Sequence, residues 1–344
     1  MLGVNVNETL LTRLCGLVSK KVLVKERTLI VRAPASIANL GPGFDVLAVA
    51  LEEPEDLIEF KVCEGGGNVE VLAEGYSIPS GERNLAYAVV KTFLSVCDLN
   101  NLDFSIRIRK GVPPSSGLGS SGASASGVAY ALLKALNVNF SLNDVIYLAG
   151  VGEAFVAGEP HYDNVAASTL GGFVLVDVNS LNFYRIPTDL RPWIAVVTPK
   201  TFLNVEYKTK YARSVLPKDI PLKELIKQTS SLAKLIYALT TNDLRKLGEA
   251  ISSDYIVEPH RSRLIPYYNE IKELSIRFGA LGLNIAGAGP SVFMLCEDRE
   301  IASSISKRVK DYLMSKGVPT YSLVTKVSKD GVRVKASLKT RLES

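Results

Sequence analysis

A glycine- and serine-rich segment at residues 113–122 carries the clearest chemical signal in this 344-residue chain. Its sequence is Pro-Pro-Ser-Ser-Gly-Leu-Gly-Ser-Ser-Gly, and it stands between a predicted strand and a predicted helix of small residues. Glycines let consecutive backbone N–H groups curl around an anion, and the N-terminus of the following helix would point at the same place. Serine hydroxyls add ligands for phosphate oxygens or for Mg²⁺, which prefers oxygen. The segment therefore predicts a phosphate-binding loop.

Other interpretations of this segment are weaker. Gly117, Gly119 and Gly122 match the G-x-G-x-x-G pattern of dinucleotide sites. In that pattern, however, the glycines follow the strand at once, whereas two prolines intervene here, and the acidic residue at the matching distance, Asp144, begins a helix. No G-K-[ST] follows, so the segment is not a Walker A loop. A plain linker would not need this many residues that are free to adopt positive φ.

Polar residues in the first half of the chain are candidates to surround the loop. A predicted strand ends in a turn bracketed by Asn39 and Asp45, which alone would indicate only a capped turn. Glu153 falls in the last turn of a helix that opens at Ser141, where a carboxylate opposes the helix dipole. A metal ion would offset that charge, and so would exposure to solvent.

A short polar run follows Glu153. His161 precedes a predicted short helix that Asp163 or Asn164 would cap. A histidine of this kind is more often structural than functional, so the run gains meaning only from its neighbours.

In the second half, arginines are the candidates for binding an anion. Thr209 and Arg213 are four residues apart, and Arg261 follows a Glu-Pro-His sequence. The planar guanidinium group matches a carboxylate or a phosphate with two parallel hydrogen bonds. The segment 287–291, Gly-Ala-Gly-Pro-Ser, is predicted to be either a hairpin turn or a second glycine loop beside the first.

Composition excludes several classes of protein. The formal charge of +5 is spread along the chain, without the basic runs and interleaved aromatics that mark nucleic-acid binding. No stretch approaches the length of a membrane span. The four cysteines are far apart and form no C-x-x-C pair, so no zinc knuckle or redox dithiol is predicted. We expect a cytoplasmic protein that binds neither nucleic acid nor membranes.

Strand and helix patterns alternate in two blocks, which predicts a two-domain α+β enzyme. The expected division is an N-terminal extension at 1–27, domains at 28–190 and 191–330, and a basic tail at 331–344. Strands are predicted at Thr28–Arg32, Asp56–Val62, Val69–Ala73, Phe104–Arg109, Phe173–Val178, Trp193–Thr198, Gly282–Ile285, Val292–Cys296 and Pro319–Val327. Helices are predicted at Leu85–Val96, Ser121–Leu136, Ser141–Ala157, Leu222–Thr240, Asn242–Ser253, Ile265–Phe278 and Ile301–Lys316.

Three segments, at 33–45, 114–121 and 286–291, together resemble the motifs of the GHMP kinase superfamily, in their usual order. The first contains Asn-Leu-Gly-Pro-Gly-Phe-Asp, and the run 158–164 reads Gly-Glu-Pro-His-Tyr-Asp-Asn. These two sequences are similar to those of the homoserine kinase family within the superfamily. The resemblance covers residues 28–325.

The resemblance implies a fold and an activity. The fold would have an N-terminal domain like ribosomal protein S5 domain 2 and a ferredoxin-like C-terminal domain, with ATP and substrate between them. The reaction would transfer the ATP γ-phosphate to the side-chain hydroxyl of L-homoserine, with Mg²⁺, in threonine biosynthesis. The family also implies a homodimer. Two alternatives stay open: a relative that phosphorylates mevalonate, shikimate or a sugar, and a non-catalytic relative that binds metabolites.

The resemblance also implies roles for individual residues. ATP would be bound by the loop, with Asn84 near the adenine, and Mg²⁺ by Glu153 with Ser121, or less favourably Ser120. Asn164 stands where many relatives have a catalytic aspartate, so the proton acceptor stays open among Asp163, Asp45 and the phosphate itself. The implied ATP-binding residues are Asn84, Pro114, Ser115, Ser116, Gly117, Leu118, Gly119, Ser120, Ser121, Gly122, Ala123 and Ser124. The implied homoserine-binding or catalytic residues are Asn39, Asp45, Glu153, His161, Asn164, Thr209, Arg213 and Arg261.

Overall fold

A computed structural model of the protein describes residues 8–17, 26–200 and 208–339. Its helices are α1 Glu8–Leu17, α2 Leu85–Cys97, α3 Ser120–Ala135, α4 Leu142–Ala157, α5 Tyr162–Leu170, α6 Lys208–Ser214, α7 Leu222–Thr240, α8 Leu244–Ile251, α9 Glu258–Arg261, α10 Tyr268–Arg277 and α11 Arg299–Ser315. Its strands are β1 Glu26–Ala38, β2 Leu47–Glu64, β3 Val69–Gly75, β4 Leu102–Lys110, β5 Phe173–Asp177, β6 Asn182–Arg185, β7 Trp193–Pro199, β8 Gly282–Ile285, β9 Val292–Cys296, β10 Thr320–Lys326 and β11 Arg333–Lys339.

The first sheet has the strand order β11-β1-β2-β4-β3, with β5 paired to β2 and β6 paired to β5. Helices α2 to α5 pack together, and α3 and α5 lie against β1 and β2. Side chains alternate along β4, so that Phe104, Ile106 and Ile108 enter the core while the residues between them face outward. This alternation is the reason that the sequence pattern located the strand.

The second sheet is antiparallel, in the order β10-β7-β9-β8, and α11 packs on β7 and β10. Numbered within this half, the order is 4-1-3-2, as in a ferredoxin-like fold, and a second hydrophobic core lies beneath α10 and α11. The predicted two-domain α+β class is therefore confirmed.

The helix that carries Glu153 begins and ends as predicted. Ser141 and Asp144 form a reciprocal capping box at the N-terminus of α4. Gly158 ends the helix with φ +86°, a conformation that disfavours other residues.

The basic segment that we expected to be a tail is instead part of the first sheet. Residues 333–339 form β11, which pairs antiparallel with β1 from Arg27 to Arg32. The positive charge of this segment obscures its strand pattern, in which Val334 and Ala336 alternate with charged residues. The short strand β6 was also not predicted.

Helix α1, in the N-terminal extension, packs on α2 and α4. Its Leu14 is fully buried in the first core, and Arg13 forms an ion pair with Asp144. Cys15 is joined to Cys97 by a disulfide. Sequence spacing gave no reason to pair these cysteines, because only the packing of α1 on α2 brings them together. No helix in the described segments has the length and apolar character needed to cross a bilayer.

Candidate active site

The glycine-serine segment forms a loop that leads from β4 into the N-terminus of α3. Helix α3 begins after Gly119, which has φ +64°, and no side chain caps it. The first N–H groups of a helix have no partner within the helix, so those of α3 are available to an anion. This local geometry suits an anion such as a phosphate group, and the phosphate-binding role of the loop stays a prediction.

The second glycine segment connects β8 to β9 and packs against the first. The backbone N–H of Ser291 donates to the carbonyl of Ser116 at 3.1 Å. A methyl group on Gly117 would lie only 2.3 Å from the carbonyl oxygen of Ala286. The segment is thus both of the predicted alternatives at once, a hairpin turn and a neighbour of the first loop.

A buried ion pair, which the sequence analysis missed, connects the two ends of the phosphate-binding loop. Lys110 is paired with Asp56, and both side chains are almost fully buried. Asp56 accepts hydrogen bonds from the backbone N–H groups of Gly111 and Val112, and from the Ser124 hydroxyl at 2.7 Å. Lys110 Nζ donates to the carbonyl of Ser120 at 2.8 Å. Burial lowers the pKa of Lys110, which Asp56 opposes.

Strand alternation contained the signal for this pair. Lys110 continues the inward-facing series of β4, and Asp56 continues that of β2, where Ile58 and Phe60 are core residues. A basic and an acidic residue at inward positions of paired strands are expected to pair.

The predicted metal ligands lie together. Glu153 is buried, and burial raises the pKa of its carboxyl group to about 7, while a hydrogen bond from Ser121 lowers it and the charge of Asp163 raises it. Glu153 Oε1 has no hydrogen-bond partner. Buried polar atoms are rarely left unpaired, so this oxygen is available to a cation.

Asn164 lies against the phosphate-binding loop. Its Oδ1 accepts a hydrogen bond from the Ser36 hydroxyl at 2.9 Å. A methyl group on Gly119 would lie 2.1 Å from that hydroxyl and 2.7 Å from Asn164 Oδ1, so only glycine allows this approach. Beside it, Asp163 is buried, and burial, followed by the charge of Asp45, raises its pKa to about 6.

The predicted Asn39–Asp45 turn meets the predicted arginines. Asn39 Oδ1 accepts a hydrogen bond from the backbone N–H of Asp45 at 3.2 Å, which closes the turn. Asp45 Oδ2 accepts one from Arg213 at 2.8 Å. Arg261 and Asn39 both donate to the carbonyl of Gly287, at 3.0 and 3.1 Å. Residues from four separate segments therefore converge, and the ring of Phe44 lies close to both guanidinium groups.

The remaining predicted residues differ in their placement. His161 is itself the N-cap residue of α5, so the predicted capping of this helix by Asp163 or Asn164 is wrong: both lie in its first turn. Burial, followed by the charge of Arg213, lowers the pKa of His161. Thr209 is exposed on α6, one turn before Arg213.

Asn84 is committed to a structural contact. Its Oδ1 caps α2 by accepting a hydrogen bond from the N–H of Ala86, and its Nδ2 donates to the carbonyl of Pro79. Its side chain is buried.

A cavity of about 630 Å³ lies away from these residues, where β1, β2 and β11 meet β7 and β10. Trp193 lines it, and several of its charged groups pair with one another: Arg32 and Arg333 with Glu55, and Arg191 with Glu52. It contains none of the predicted site residues.

Comparison with known proteins identifies the family. Residues 84–172 match the GHMP kinase N-terminal domain and residues 235–313 match the GHMP kinase C-terminal domain. A homoserine kinase from Aeropyrum pernix is 38% identical over 286 residues, which are 81% of this chain and 90% of that protein. A homoserine kinase from Pyrococcus horikoshii is 36% identical and covers 87% of this chain and 97% of its own length.

Solved structures agree with this assignment. The crystal structure of homoserine kinase from Cytophaga hutchinsonii matches with a TM-score of 0.82 and 31% identity, over 89% of this chain and 97% of that chain. Mevalonate kinase from L. major matches with a TM-score of 0.68 at 18% identity, over 90% of this chain and 98% of that chain, which shows a shared fold. From these matches and the converging site, the chain belongs to the GHMP kinases and, within them, to the homoserine kinase family.

Proposed function

We propose that the protein transfers the γ-phosphate of ATP to the side-chain hydroxyl of L-homoserine. One observation carries the proposal: an uncapped helix N-terminus on a glycine loop adjoins a cluster of two arginines, an aspartate, an asparagine and a histidine. The loop suits a polyphosphate, and the cluster suits a small zwitterion. Relatives of 35–38% identity that carry the name homoserine kinase support the same reaction.

In this proposal, charged side chains of the protein bind the carboxylate and the ammonium group of homoserine. The guanidinium groups of Arg213 and Arg261 bind the carboxylate of homoserine, while Asp45 faces its ammonium group. Arginine suits the first role because its fork matches a carboxylate with two hydrogen bonds. Asn39, His161, Asn164 and Thr209 complete the proposed pocket and orient the hydroxyl.

Phosphoryl transfer demands little covalent chemistry from the protein. Its transition state is loose, so alignment of the hydroxyl and stabilisation of phosphate charge supply most of the acceleration. The backbone N–H groups at the start of α3 perform the second task. Because Asn164 has no basic side chain, we propose that the hydroxyl proton passes either to Asp163 or Asp45, or directly to the phosphate.

The residues present fit a Mg²⁺ ion. Glu153 offers a buried carboxylate oxygen without a partner, beside the Ser121 hydroxyl. The described residues contain no cluster of three or more His, Cys, Asp or Glu side chains arranged to hold a metal. None is needed where one carboxylate and one hydroxyl are completed by nucleotide oxygens and water. When bound, Mg²⁺ neutralises charge on the phosphates of ATP.

We also propose that residues 28–190, together with β11, form one domain and residues 191–330 the other, with ATP and homoserine between them. The two separate sheets, one built from β1 to β6 with β11 and the other from β7 to β10, support this division. The homodimer stays a prediction from the resemblance, and the cytoplasmic location stays a prediction from composition.

The test is release of ADP in a coupled assay, with L-homoserine, mevalonate, shikimate and galactose offered as acceptors. We expect activity with homoserine. A Glu153→Gln variant, purified identically, controls for contaminating kinases and should lose about a hundredfold or more of kcat while remaining folded. Activity confined to a sugar or to mevalonate would refute the substrate assignment, and an unchanged rate in Glu153→Gln would remove Glu153 from the site.

A further inference from the structure

The ring of Phe44 lies close to both arginines of the candidate site. The guanidinium carbon of Arg213 is 5.5 Å from the centre of its ring, and that of Arg261 is 5.1 Å away. Both distances lie within the range in which an aromatic face attracts a cation. One ring therefore contacts two positive charges, and its attraction for both opposes the repulsion by which Arg213 lowers the pKa of Arg261.

Phe44 is not a core residue. Within the described segments it is only partly buried, and it belongs to neither of the two hydrophobic clusters. A phenylalanine that is neither in a core nor paired with another ring needs another reason for its position. The two guanidinium groups supply that reason.

The other contacts of the arginines leave part of each guanidinium group unconstrained. Arg261 donates from Nε to the carbonyl of Ala212 and from Nη1 to that of Gly287, both at 3.0 Å. Arg213 has the ion pair with Asp45, and its side chain is 44% exposed. An exposed arginine has many rotamers, and fixing one costs binding energy. Contact with the ring limits this freedom before substrate arrives.

We propose that Phe44 is a positioning residue, which holds the guanidinium groups of Arg213 and Arg261 in the arrangement that selects alcohols bearing a carboxylate. The inference rests on the proposed function, in which these arginines bind the carboxylate of homoserine. Phe44 itself makes no contact with the reacting atoms in this proposal. It acts on specificity through the two cations.

The test compares Phe44→Leu, which removes the ring, with Phe44→Tyr, which keeps it. For Phe44→Leu we expect the KM for homoserine to rise about tenfold, a factor that matches the loss of two such contacts. The KM for ATP should stay within about twofold of the wild-type value, because the phosphate-binding loop does not involve these contacts. Phe44→Tyr should retain the KM for homoserine.

A second substrate isolates the carboxylate. The compound 3-aminopropan-1-ol, called aminopropanol below, is homoserine with a hydrogen atom in place of its carboxylate. The ratio of kcat/KM for homoserine to kcat/KM for aminopropanol therefore measures selection for the carboxylate. Phe44→Leu should reduce this ratio about tenfold, because it should lower kcat/KM for homoserine and leave kcat/KM for aminopropanol unchanged.

Phe278 offers a matched control. Its ring also lies near two arginines, Arg277 at 5.9 Å and Arg308 at 4.2 Å, but outside the candidate site. Phe278→Leu should leave the KM for homoserine and the ratio unchanged. If Phe44→Leu does not fold, as judged by thermal melting, Phe44→Met takes its place.

Three results would overturn the inference. They are an unchanged homoserine-to-aminopropanol ratio in Phe44→Leu, an equal rise in the KM values for homoserine and ATP in that variant, and a rise in the KM for homoserine in Phe44→Tyr as large as in Phe44→Leu. A wild-type protein that does not phosphorylate homoserine refutes the proposed function instead. The two failures are therefore distinguishable.

Discussion

Buried carboxyl groups dominate the electrostatics of the candidate site. Glu153 and Asp163 are both buried, and the charge of each raises the other's free energy, as the Asp163 contribution to the raised pKa of Glu153 shows. A buried carboxylate without full compensation costs stability. The site therefore retains charges that the folded protein would be more stable without, which is typical of sites that bind cations or polar substrates.

Replacement of Asp163 with asparagine should stabilise the protein above neutral pH. The pKa of Asp163 is about 6 in the folded state against an ordinary 3.8, so between these values the folded state binds more protons than the unfolded state. Its charge is thus a full cost above pH 6 and no cost below about pH 4. We expect Asp163→Asn to raise the free energy of unfolding by about 3 kcal/mol at pH 8, with the gain vanishing towards pH 4.

Denaturant unfolding across this pH range measures the effect. Asp177→Asn is the control of opposite sign, because hydrogen bonds from Ser180 and Asn179 lower the pKa of that exposed carboxylate. It should not stabilise the protein at any pH. A gain for Asp163→Asn that is as large at pH 4 as at pH 8 would contradict the titration.

For individual residues, the sequence indicates which side chains are candidates for the site better than it indicates which of them touch. The loop is identifiable by composition and spacing, whereas the Asn39–Asp45 turn and Arg213 are candidates whose roles depend on the family resemblance. The position of Phe44 is not, because an aromatic residue in a turn has no periodic pattern, and its two partners are 169 and 217 residues further along the chain. Asn84 shows the reverse: its side chain is committed to a helix cap that the sequence analysis did not consider.

Among the elements, the end of β4 and the start of α3 hold the phosphate-binding loop from both sides. Lys110 and Asp56 connect them through a buried ion pair whose hydrogen bonds reach both the stem of the loop and the first turn of α3. Breaking such a pair by removing one partner is costly, because the other charge stays buried. The buried pair therefore holds both ends of the loop in place through these hydrogen bonds.

Lys110→Met should lower the free energy of unfolding by about 3–5 kcal/mol, since it leaves the Asp56 carboxylate buried without a counter-charge. The double variant Asp56→Asn, Lys110→Met should recover part of this loss. Chemical denaturation measures both.

Lys61→Met is the matched control. Lys61 lies on β2 and pairs with Glu26, but both of these side chains are well exposed. Exposed pairs contribute little, so this variant should resemble the wild type. A Lys110→Met variant as stable as the wild type would show that the pair does not brace the loop.

Elements were predictable where a single pattern governs them. Alternation located β4, and the predicted bounds of α7, 222–240, are those of the structure. Strand β1 extends to Ala38, well beyond the predicted Thr28–Arg32, because its pairing with β2 continues past Pro34 as far as Ala38. Tertiary pairing of this kind is not encoded in the local pattern.

For the molecule as a whole, α1 is joined covalently to the helix layer. The disulfide between Cys15 and Cys97 closes a loop of 82 residues. The neighbouring Leu14 adds a buried side chain, and Arg13 adds an ion pair with Asp144. A disulfide stabilises mainly by restricting the unfolded chain, more so for longer loops. The extension is therefore expected to stabilise the first domain.

Reduction of this disulfide should lower the free energy of unfolding by about 2–4 kcal/mol. Cys15→Ser should match the reduced wild type and be insensitive to reductant. Cys63→Ser is the control, because Cys63 is a free thiol, and it should respond to reductant as the wild type does.

Alkylation under denaturing conditions checks the pairing directly. Without reductant, only Cys63 and Cys296 should be labelled, and with reductant all four cysteines should be. Labelling of four thiols without reductant would contradict the disulfide.

Strand β11 gives the molecule an order of assembly. It lies beside β1, although some 300 residues separate the two strands in the chain. During translation the backbone N–H and C=O groups on this edge of β1 stay without their β11 partners until the intervening residues have been synthesised. The first sheet can thus be completed only after every strand of the second sheet has been synthesised, and a nascent chain stalled after β10 would expose an open edge to its neighbours.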